Sequence, residues 1–392
     1  MSATIDVDCV RRDTPACESV IHFNNAGAAL MPDPVAHAVL AHLDLERQRG
    51  GYEAEAAAQP ALEDFYDAFA TLLGCGRDEI AYAESATRAW DMAVYALPLA
   101  PGDRVLTHDS DYASNHLALL QLSRRIGIEL DLVPSDAAGQ LDVRALERMI
   151  GPRTRAIALT HVPTQNGLVN PAEAVGRIAR AHGLLYVLDA CQSVGQLPID
   201  VRRIGCHVLS GTGRKFLRGP RGTGFLYVER ALLQTLEPPF IDMRAATATV
   251  DGRYRLRADA RRFEGWESFV AGRLGLRAAV RYLLALGVDA AAARINALAV
   301  ALRHALGALP GVTVHDRGVE RSGIVTFTVA GEQPAETAVR LRSGGANVSV
   351  TASEAAPLDA RLRRLATAVR ASVHYYNTEA EIAAFATLVA AR

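Results

Sequence analysis

Short apolar segments alternate with helical segments through the middle of the chain, from about residue 79 to residue 228. The apolar segments read EIAYAES, RVLTHD, ELDLVP, TRAIALTHV and LLYVLDA, and each of the first four precedes a stretch with helical spacing, such as ATRAWDMAVYAL. Parallel strands need crossover connections, which are usually helices. The alternation therefore predicts an α/β fold in which a mostly parallel sheet carries helices on both faces.

The pattern changes after about residue 265. Two long helices rich in Ala, Leu and Arg lead into short strands and helices. This change predicts two domains, a large α/β domain at residues 20–265 and a smaller α+β domain at residues 266–392, on which residues 1–19 pack. A chain of 392 residues is long enough for that division.

One helix of the large domain has readable limits. The segment NPAEAVGRIARAHG contains an asparagine suited to cap a helix, a proline suited to its first turn and a glycine suited to follow its end. The segment therefore predicts a helix with Asn170 as its N-cap.

Composition and charge exclude several classes of function. The formal net charge is −1, so no overall field attracts nucleic acid or an anionic membrane. The cluster Arg214, Lys215, Arg218 and Arg221 suits a phosphate and is too small for a nucleic-acid stripe. The five cysteines are scattered without metal-ligand spacing, which predicts free thiols, a reducing compartment and no metal site. No signal peptide or transmembrane helix is predicted, so we expect a cytoplasmic protein.

Lys215 is the only lysine among 42 basic residues. Arginine replaces lysine in most surface roles, but it cannot act as a nucleophilic amine because its guanidinium stays protonated. Lys215 lies in a Gly-rich loop between two predicted strands, whereas a lysine kept by chance would most often lie on an exposed helix face. The sequence therefore favours a chemical role for Lys215 over the alternative of a chance survivor in an arginine-rich chain.

Polar residues occur where predicted strands end. Ligands of open parallel sheets bind at the carboxyl ends of strands, and Asp189 and Tyr112 lie at two such ends. Ala86, Thr87 and Arg88 lie where a strand turns into a helix and can present backbone N–H groups and a hydroxyl to a phosphate. Together with the single lysine, these residues predict an anionic cofactor with an aldehyde, which is pyridoxal phosphate (PLP).

Six segments resemble, in order, the motifs of the class V aminotransferase-like PLP enzymes: HFNNAGAALMPDPV, SATRAWDMA, HVPTQNGLVNP, VLDACQSVGQLPIDV, GRKFLRGPRGTGFLYV and VRASVHYYNTEAEI. That family includes cysteine desulfurases, selenocysteine lyases, isopenicillin-epimerase-like proteins and C–S lyases of ergothioneine biosynthesis. The segment GGYEAEAA resembles the C–S lyase and epimerase-like branch. The resemblance implies a PLP-dependent transferase fold of type I with a seven-stranded sheet, and a homodimer that binds a small amino-acid substrate.

The resemblance also implies roles for the cofactor-binding residues. Lys215 matches the lysine that forms a Schiff base with PLP, and Asp189 matches the carboxylate that pairs with the pyridinium nitrogen. Gln192 matches the residue that hydrogen-bonds the phenolate oxygen. The remaining contacts that the resemblance implies are a ring-stacking aromatic residue and three phosphate ligands: Tyr112, Thr87, Thr212 and Arg214.

On the substrate side, Arg370 matches the arginine that binds the α-carboxylate through its two-pronged guanidinium. The alternative for Arg370 is a surface ion pair. Gln165 and Asn166 differ from the asparagine pattern of the desulfurases, and Glu267 stands where those enzymes have a phosphate-binding threonine of the partner subunit, so these roles stay open. Three further residues are candidate substrate contacts: Asn25, Gln165 and Tyr52.

This chain has no cysteine at the position where desulfurases carry their catalytic cysteine, and this difference bears on which reaction we expect. In that family a nucleophilic cysteine lies on a loop shortly before the carboxylate-binding arginine. Here the region reads TASEAAPLDARLRRLATAV, and no cysteine follows Cys206. We therefore expect chemistry that needs only Lys215 as acid and base, in the order β-elimination of the C–S lyase type, transamination and epimerisation. A non-catalytic PLP-binding module is the remaining alternative.

Overall fold

The computed structural model describes residues 5–363, 365 and 367–391. Its strands are β1 Ile21–His22, β2 Ile80–Ala83, β3 Arg104–His108, β4 Glu129–Val133, β5 Thr154–Thr160, β6 Leu185–Asp189, β7 Val208–Thr212, β8 Gly224–Val228, β9 Ala246–Ala248, β10 Tyr254–Leu256, β11 Val312–Val314, β12 Ile324–Val329, β13 Ala346–Asn347, β14 Ser349–Val350 and β15 Val369–Ser372. Its α-helices are α1 Val7–Arg12, α2 Asp33–Arg49, α3 Gly51–Leu73, α4 Ala86–Val94, α5 Ala113–Ile126, α6 Val143–Met149, α7 Ala172–Ala181, α8 Val201–Ile204, α9 Arg230–Leu233, α10 Val270–Leu286, α11 Val288–Gly307, α12 Pro334–Ser343, α13 Pro357–Arg363 and α14 Glu379–Ala390.

The central sheet has seven strands in the order β2–β8–β7–β6–β5–β3–β4. Strand β8 is antiparallel to both of its neighbours, and the other strands all run in one direction. The prediction of a mostly parallel sheet is therefore confirmed. Since parallel strands all end at the same edge, the loops after β5, β6 and β7 meet there.

Helices cover both faces of this sheet. Successive side chains of a strand point to opposite faces, and in β6 the alternate residues Tyr186 and Leu188 pack into one core while Val187 packs into a second core. All three side chains are buried. Burial on both faces explains why LLYVLDA reads as a continuous apolar run rather than an alternating one.

Helices α2 and α3, which the sequence analysis did not predict, pack against α10. A Cβ atom at Gly275 of α10 would lie 2.5 Å from Cγ2 of Val39, so only glycine allows this close approach to α2. The predicted domain boundary near residue 266 remains a proposal, and α10 contacts helices on both sides of it.

The C-terminal part of the chain forms a four-stranded antiparallel sheet in the order β11–β12–β15–β14, and β13 pairs in parallel with β1. Arg11 of α1 donates hydrogen bonds to the Tyr376 carbonyl (3.0 Å) and to Glu381 (2.8 Å). These contacts support the proposal that the N-terminal segment packs on the C-terminal unit. Residues 1–4 of that segment lie outside the described residues.

Helix α7 begins one residue later than predicted. Pro171 rather than Asn170 occupies its N-cap position. The Asn170 side chain instead donates a hydrogen bond to the Thr160 carbonyl (2.8 Å) and accepts one from the Leu141 N–H (3.0 Å). Its amide joins β5 to a distant loop, which is a tertiary contact that helix-capping rules do not foresee.

None of the single helices in the described part of the chain combines the length and apolarity of a membrane span. The consecutive helices α10 and α11 reach that length and composition only when taken together, across a bend of 83°.

Candidate functional site

A cavity lies at the edge where the parallel strands end. It is formed by the loops that follow β5, β6 and β7 and by the first residues of α4 and α5. The cavity is lined by Ser85, Ala86, Thr87, Tyr112, Thr160, Val162, Thr164, Asp189, Cys191, Gln192, Arg214 and Lys215.

Lys215 lies in the loop after β7, half-buried in the wall of this cavity. Burial lowers the pKa of the Lys215 ammonium, and the positive charges of Arg214 and Arg370 lower that pKa further. A lowered pKa raises the fraction of neutral amine at neutral pH, and the neutral amine is the form that attacks a carbonyl. The position and the lowered pKa of the only lysine of the chain suit it to act as a nucleophile.

Asp189 ends β6, lines the same cavity and is buried. Its Oδ2 accepts a hydrogen bond from Nδ2 of Asn115 (2.7 Å), and its Oδ1 accepts one from the Cys191 N–H (2.8 Å). Among the described residues Asp189 forms no ion pair. Two donors hold the carboxylate in place without neutralising it, so the site suits a cationic ring nitrogen.

Another end of the cavity suits an anion. The first backbone N–H groups of α4, at Ala86 and Thr87, face it, and helix N-termini attract phosphate groups. Arg214 adds a guanidinium, which donates a hydrogen bond to the buried Thr212 hydroxyl (3.0 Å). A Cβ atom at Gly224 of the adjoining β8 would lie 2.8 Å from the backbone of Ser85, so glycine lets this helix start come close to the sheet.

Arg88 does not belong to this anion site. Its backbone N–H donates to the Ser85 hydroxyl (3.1 Å), which caps α4. Its exposed guanidinium stacks on the Phe240 ring, 5.2 Å from the ring centre. The backbone N–H of Arg88, which the sequence analysis assigned to phosphate, therefore already donates to the capping hydroxyl.

Arg370, on β15, reaches the same region from the C-terminal sheet and is 9% exposed. Its guanidinium donates hydrogen bonds to the Thr164 hydroxyl and to Asn24 Oδ1 (3.5 Å), while its Nε is buried without a partner. Burial, followed by repulsion from Arg214, lowers the pKa of Arg370 to about 10, so it stays charged at neutral pH. No carboxylate among the described residues pairs with it. A buried cation that forms hydrogen bonds but no ion pair is costly, so this position suits an anionic ligand.

The donor set fits PLP on these observations. Around one cavity it combines the amine of Lys215, the carboxylate of Asp189, which forms no ion pair, and the N–H donors at the start of α4, which suit a phosphate. Gln192 lines the same cavity with a buried Oε1 that has no partner, and its Nε2 donates to the Ala26 carbonyl (3.1 Å) and to the Thr164 hydroxyl (3.2 Å). Both amide hydrogens of Gln192 are thus engaged, so a bond to the phenolate oxygen requires one of them to turn.

Three predicted substrate contacts do not line the cavity. Asn25 is buried elsewhere, where it donates to the Ser372 carbonyl (2.7 Å) and accepts from the Tyr376 hydroxyl. Gln165 Nε2 donates to the Ala352 carbonyl (2.6 Å). Tyr52 is 70% exposed on α3. Glu267, whose role was left open, is also exposed.

Their neighbours make the contacts instead. Asn24 and Thr164, each one position before a predicted residue, contact Arg370, and Asn115 holds Asp189. Asn24 and Thr164 lie in segments that the sequence analysis had singled out, and Asn115 follows the predicted Tyr112 by three positions. The loop conformation, which decides which of two adjacent side chains faces the cavity, has no signal in the sequence.

Comparison with known proteins agrees with this arrangement. The model of the family Aminotransferase class-V matches residues 21–385. A probable cysteine desulfurase of Methanothermobacter thermautotrophicus is 28% identical over 380 residues, which cover 95% of this chain and 94% of that protein.

Solved structures share the whole architecture. The apo structure of the cysteine desulfurase from Thermococcus onnurineus NA1 aligns with a TM-score of 0.92 at 27% identity, over 99% of this chain and 98% of that one. The complex of the cystine C–S lyase C-DES with its product cysteine persulfide aligns with a TM-score of 0.88 over 96% of this chain and 99% of that one. Its 23% identity shows the fold alone. The predicted type I fold of PLP-dependent enzymes is confirmed.

Proposed function

The chain belongs to the class V aminotransferase family of PLP-dependent enzymes, and from this premise we propose that it cleaves an α-amino acid by β-elimination, as a C–S lyase that uses no cysteine nucleophile. One observation carries the proposal: the buried guanidinium of Arg370, which forms no ion pair among the described residues, contacts Thr164 in the wall of the cavity that holds the single lysine, Lys215. Arg370 then binds the α-carboxylate, which brings the substrate Cα towards Lys215.

The residues divide the work by their positions. Bound in the cavity, PLP supplies the electron sink for the bond that breaks at Cα. Asp189 would pair with the ring nitrogen, and Tyr112 would pack beside the ring. The start of α4 with Thr87, Thr212 and Arg214 would hold the phosphate. Lys215 would hold the cofactor and would also serve as the base that takes the proton from the substrate Cα.

The cysteines support elimination over persulfide formation. Cys191 is the cysteine that lines the cavity, and burial together with the negative charge of Asp189 raises its pKa well above the usual value, so the thiol stays protonated. The thiolate is the nucleophile in cysteine chemistry. The other four cysteines lie in described parts of the chain away from the cavity lining.

We also propose that the protein works as a homodimer. Exposed apolar side chains line two adjoining grooves: Leu117 (62% exposed) and Leu120 line one, and Phe240 (65%) lines the other. Asp91 and Tyr95 belong to both grooves. Exposed apolar side chains grouped in adjoining grooves are typical of a protein interface.

The first experiment tests the cofactor site. Borohydride reduction of the yellow protein, followed by digestion and mass spectrometry, should find the cofactor on Lys215. Lys215→Arg keeps the charge and should abolish turnover, because a guanidinium cannot form the imine. An adduct on the N-terminal amine alone would remove the cofactor assignment.

The second experiment tests the reaction. The protein is incubated with cysteine S-conjugates and sulfoxides, and separately with amino acid and keto acid pairs. We expect pyruvate and ammonia from the first panel, and a variant with all five cysteines replaced should keep this activity. New amino acids from the second panel would favour the aminotransferase alternative, and inverted substrate would favour the epimerase. A stoichiometric persulfide on one cysteine would contradict the proposal and favour a cysteine desulfurase.

A further inference from the structure

We propose that the protein has a second ligand site, for a zwitterionic α-amino acid, in a cavity between the loop after β5 and the start of α7. This second cavity shares no lining residue with the cavity of Lys215 in the described part of the chain. The inference goes beyond the proposed function and does not depend on it.

A buried imidazole, that of His161, lines the second cavity. The residue is 7% exposed, its Nδ1 is buried without a partner, and its ring forms no hydrogen bond with any described residue. Burial lowers the pKa of His161 to about 4, so at neutral pH the ring is uncharged and has one N–H donor and one acceptor nitrogen. Leaving a buried polar group unpaired is costly, so this ring indicates that a polar ligand enters the cavity.

The start of α7 suits the carboxylate of such a ligand. Glu173 and Ala174, in the first turn of this ten-residue helix, line the cavity, and no side chain caps the helix. The first N–H groups of a helix have no intrahelical partner and attract anions. Arg177, one turn further along, also lines the cavity and forms no ion pair among the described residues. Backbone donors and a guanidinium thus meet where one carboxylate can accept from both.

The opposite charge of the lining belongs to Glu320, in the segment between β11 and β12. Its carboxylate forms no ion pair with any described residue. The other two charged residues of the lining, Arg203 and Glu173, pair with each other, with 2.7 Å between Nε and Oε1. One cation, Arg177, and one anion, Glu320, therefore remain. A simple anion would be repelled by Glu320 and a simple cation by Arg177, whereas an ammonium and a carboxylate on one small molecule suit both.

The two cavities lie on opposite sides of one short segment. Thr160 and Val162 line the cavity of Lys215, whereas His161 between them lines the second cavity. This alternation is expected where successive side chains point to opposite faces. The His161 N–H also donates to the Asp189 carbonyl (2.9 Å). A ligand at His161 is therefore held by a segment that also shapes the first cavity.

The test uses two probes of the same shape. N,N-Dimethylglycine is a zwitterion, and isovalerate has a CH group in place of its ammonium. Neither has a primary amine, so neither can form an imine with the cofactor. Calorimetric titration of the holoenzyme should give one N,N-dimethylglycine site per chain, unchanged cofactor absorbance and weaker binding of isovalerate. Arg177→Ala should weaken the binding of both probes by about fivefold, the effect of an exposed charge pair. Glu320→Gln should weaken the binding of N,N-dimethylglycine alone.

Arg144→Ala is the matched control, because this exposed arginine of α6 lies outside the cavity lining, and it should bind both probes as the wild type does. His161→Phe keeps a ring, removes its nitrogens and should weaken the binding of both probes. If it fails to fold, the two variants at exposed positions decide the question. No binding of N,N-dimethylglycine at about 10 mM, equal affinity of the wild type for the two probes, or an affinity unchanged by Arg177→Ala would each overturn the proposal. Turnover is assayed separately, so a failure of β-elimination leaves this result intact.

Discussion

At the residue scale, Lys215 can be observed in isolation because the chain has no other lysine. Burial and two neighbouring guanidinium groups lower its pKa, so neutral amine is present at lower pH than for an ordinary lysine with a pKa of about 10.4. We expect the protein freed of cofactor to recapture PLP with a rate that rises with pH to a midpoint below that value. Stopped-flow absorbance, recorded at a series of pH values, measures this rate and its midpoint. A midpoint at or above the ordinary value would contradict the burial argument.

Asp111 gives a second prediction at this scale. It is buried next to the cavity, and its carboxylate accepts hydrogen bonds from the hydroxyls of Thr160 (2.5 Å) and Thr107 (2.7 Å). Burial raises the pKa of Asp111 to about 7, and the charge of Asp189 contributes to the increase. The folded protein therefore binds a proton that the unfolded chain releases near pH 4.

The difference between the folded and unfolded pKa of Asp111 sets the direction in which stability changes with pH. The folded state holds more protons between about pH 4 and pH 7, so the contribution to stability is complete below pH 4 and is lost as the pH rises towards the folded pKa. Asp111→Asn should remove a decline of a few kcal/mol in unfolding free energy across that range. Urea unfolding at several pH values, with the cofactor removed, measures it. A variant whose pH dependence matched that of the wild type would contradict the prediction.

At the scale of elements, the loop between β7 and β8 is anchored by Arg218. This residue has a φ of 61°, the only positive φ outside glycine in the described part of the chain. Its buried guanidinium donates to the Leu30 carbonyl (2.8 Å), the Tyr375 hydroxyl (3.1 Å) and the Thr14 hydroxyl (2.5 Å). The loop that carries the lysine is thereby tied to both ends of the chain, which offsets the unfavourable backbone conformation.

Arg218→Ala should therefore destabilise the protein by about 3 kcal/mol, since three hydrogen bonds are lost and their buried acceptors stay unpaired. Urea unfolding measures the loss, and the fraction of cofactor trapped by borohydride should fall with it. Arg221→Ala is the matched control, because this arginine lies in the same loop and is exposed. Equal stability of the two variants would show that the loop does not depend on this anchor.

At the scale of the whole molecule, the apolar grooves beside α4 and α5 predict self-association. Sedimentation should give about twice the chain mass of 41.9 kDa. Phe240→Glu places a charge on the proposed interface and should shift the protein towards the monomer. Val339→Glu, at an exposed position of α12, serves as the control and should not. A monomeric wild type would contradict the homodimer.

The sequence by itself determined the α/β class and the positions of Asp189 and Lys215. Strand alternation is a local pattern, and a strand end or a single lysine can be read without knowing its neighbours. The sequence also indicated the segments that build the site. Those signals are local, and in the structure Asp189 ends a strand and Lys215 lies in a loop between two strands, as the pattern predicted.

Tertiary structure alone decided which side chains meet. Arg370 and Thr164 are 206 positions apart, and only the docking of the C-terminal sheet brings them together. Thr164 and Asn24, rather than Gln165 and Asn25, contact Arg370, because the direction of a loop side chain depends on backbone angles that distant contacts impose. Helices α2 and α3 went unpredicted although both are rich in residues that favour helix, and only their packing against α10 is decided by the tertiary structure. Long-range packing selects among locally acceptable conformations, and no local pattern records that choice.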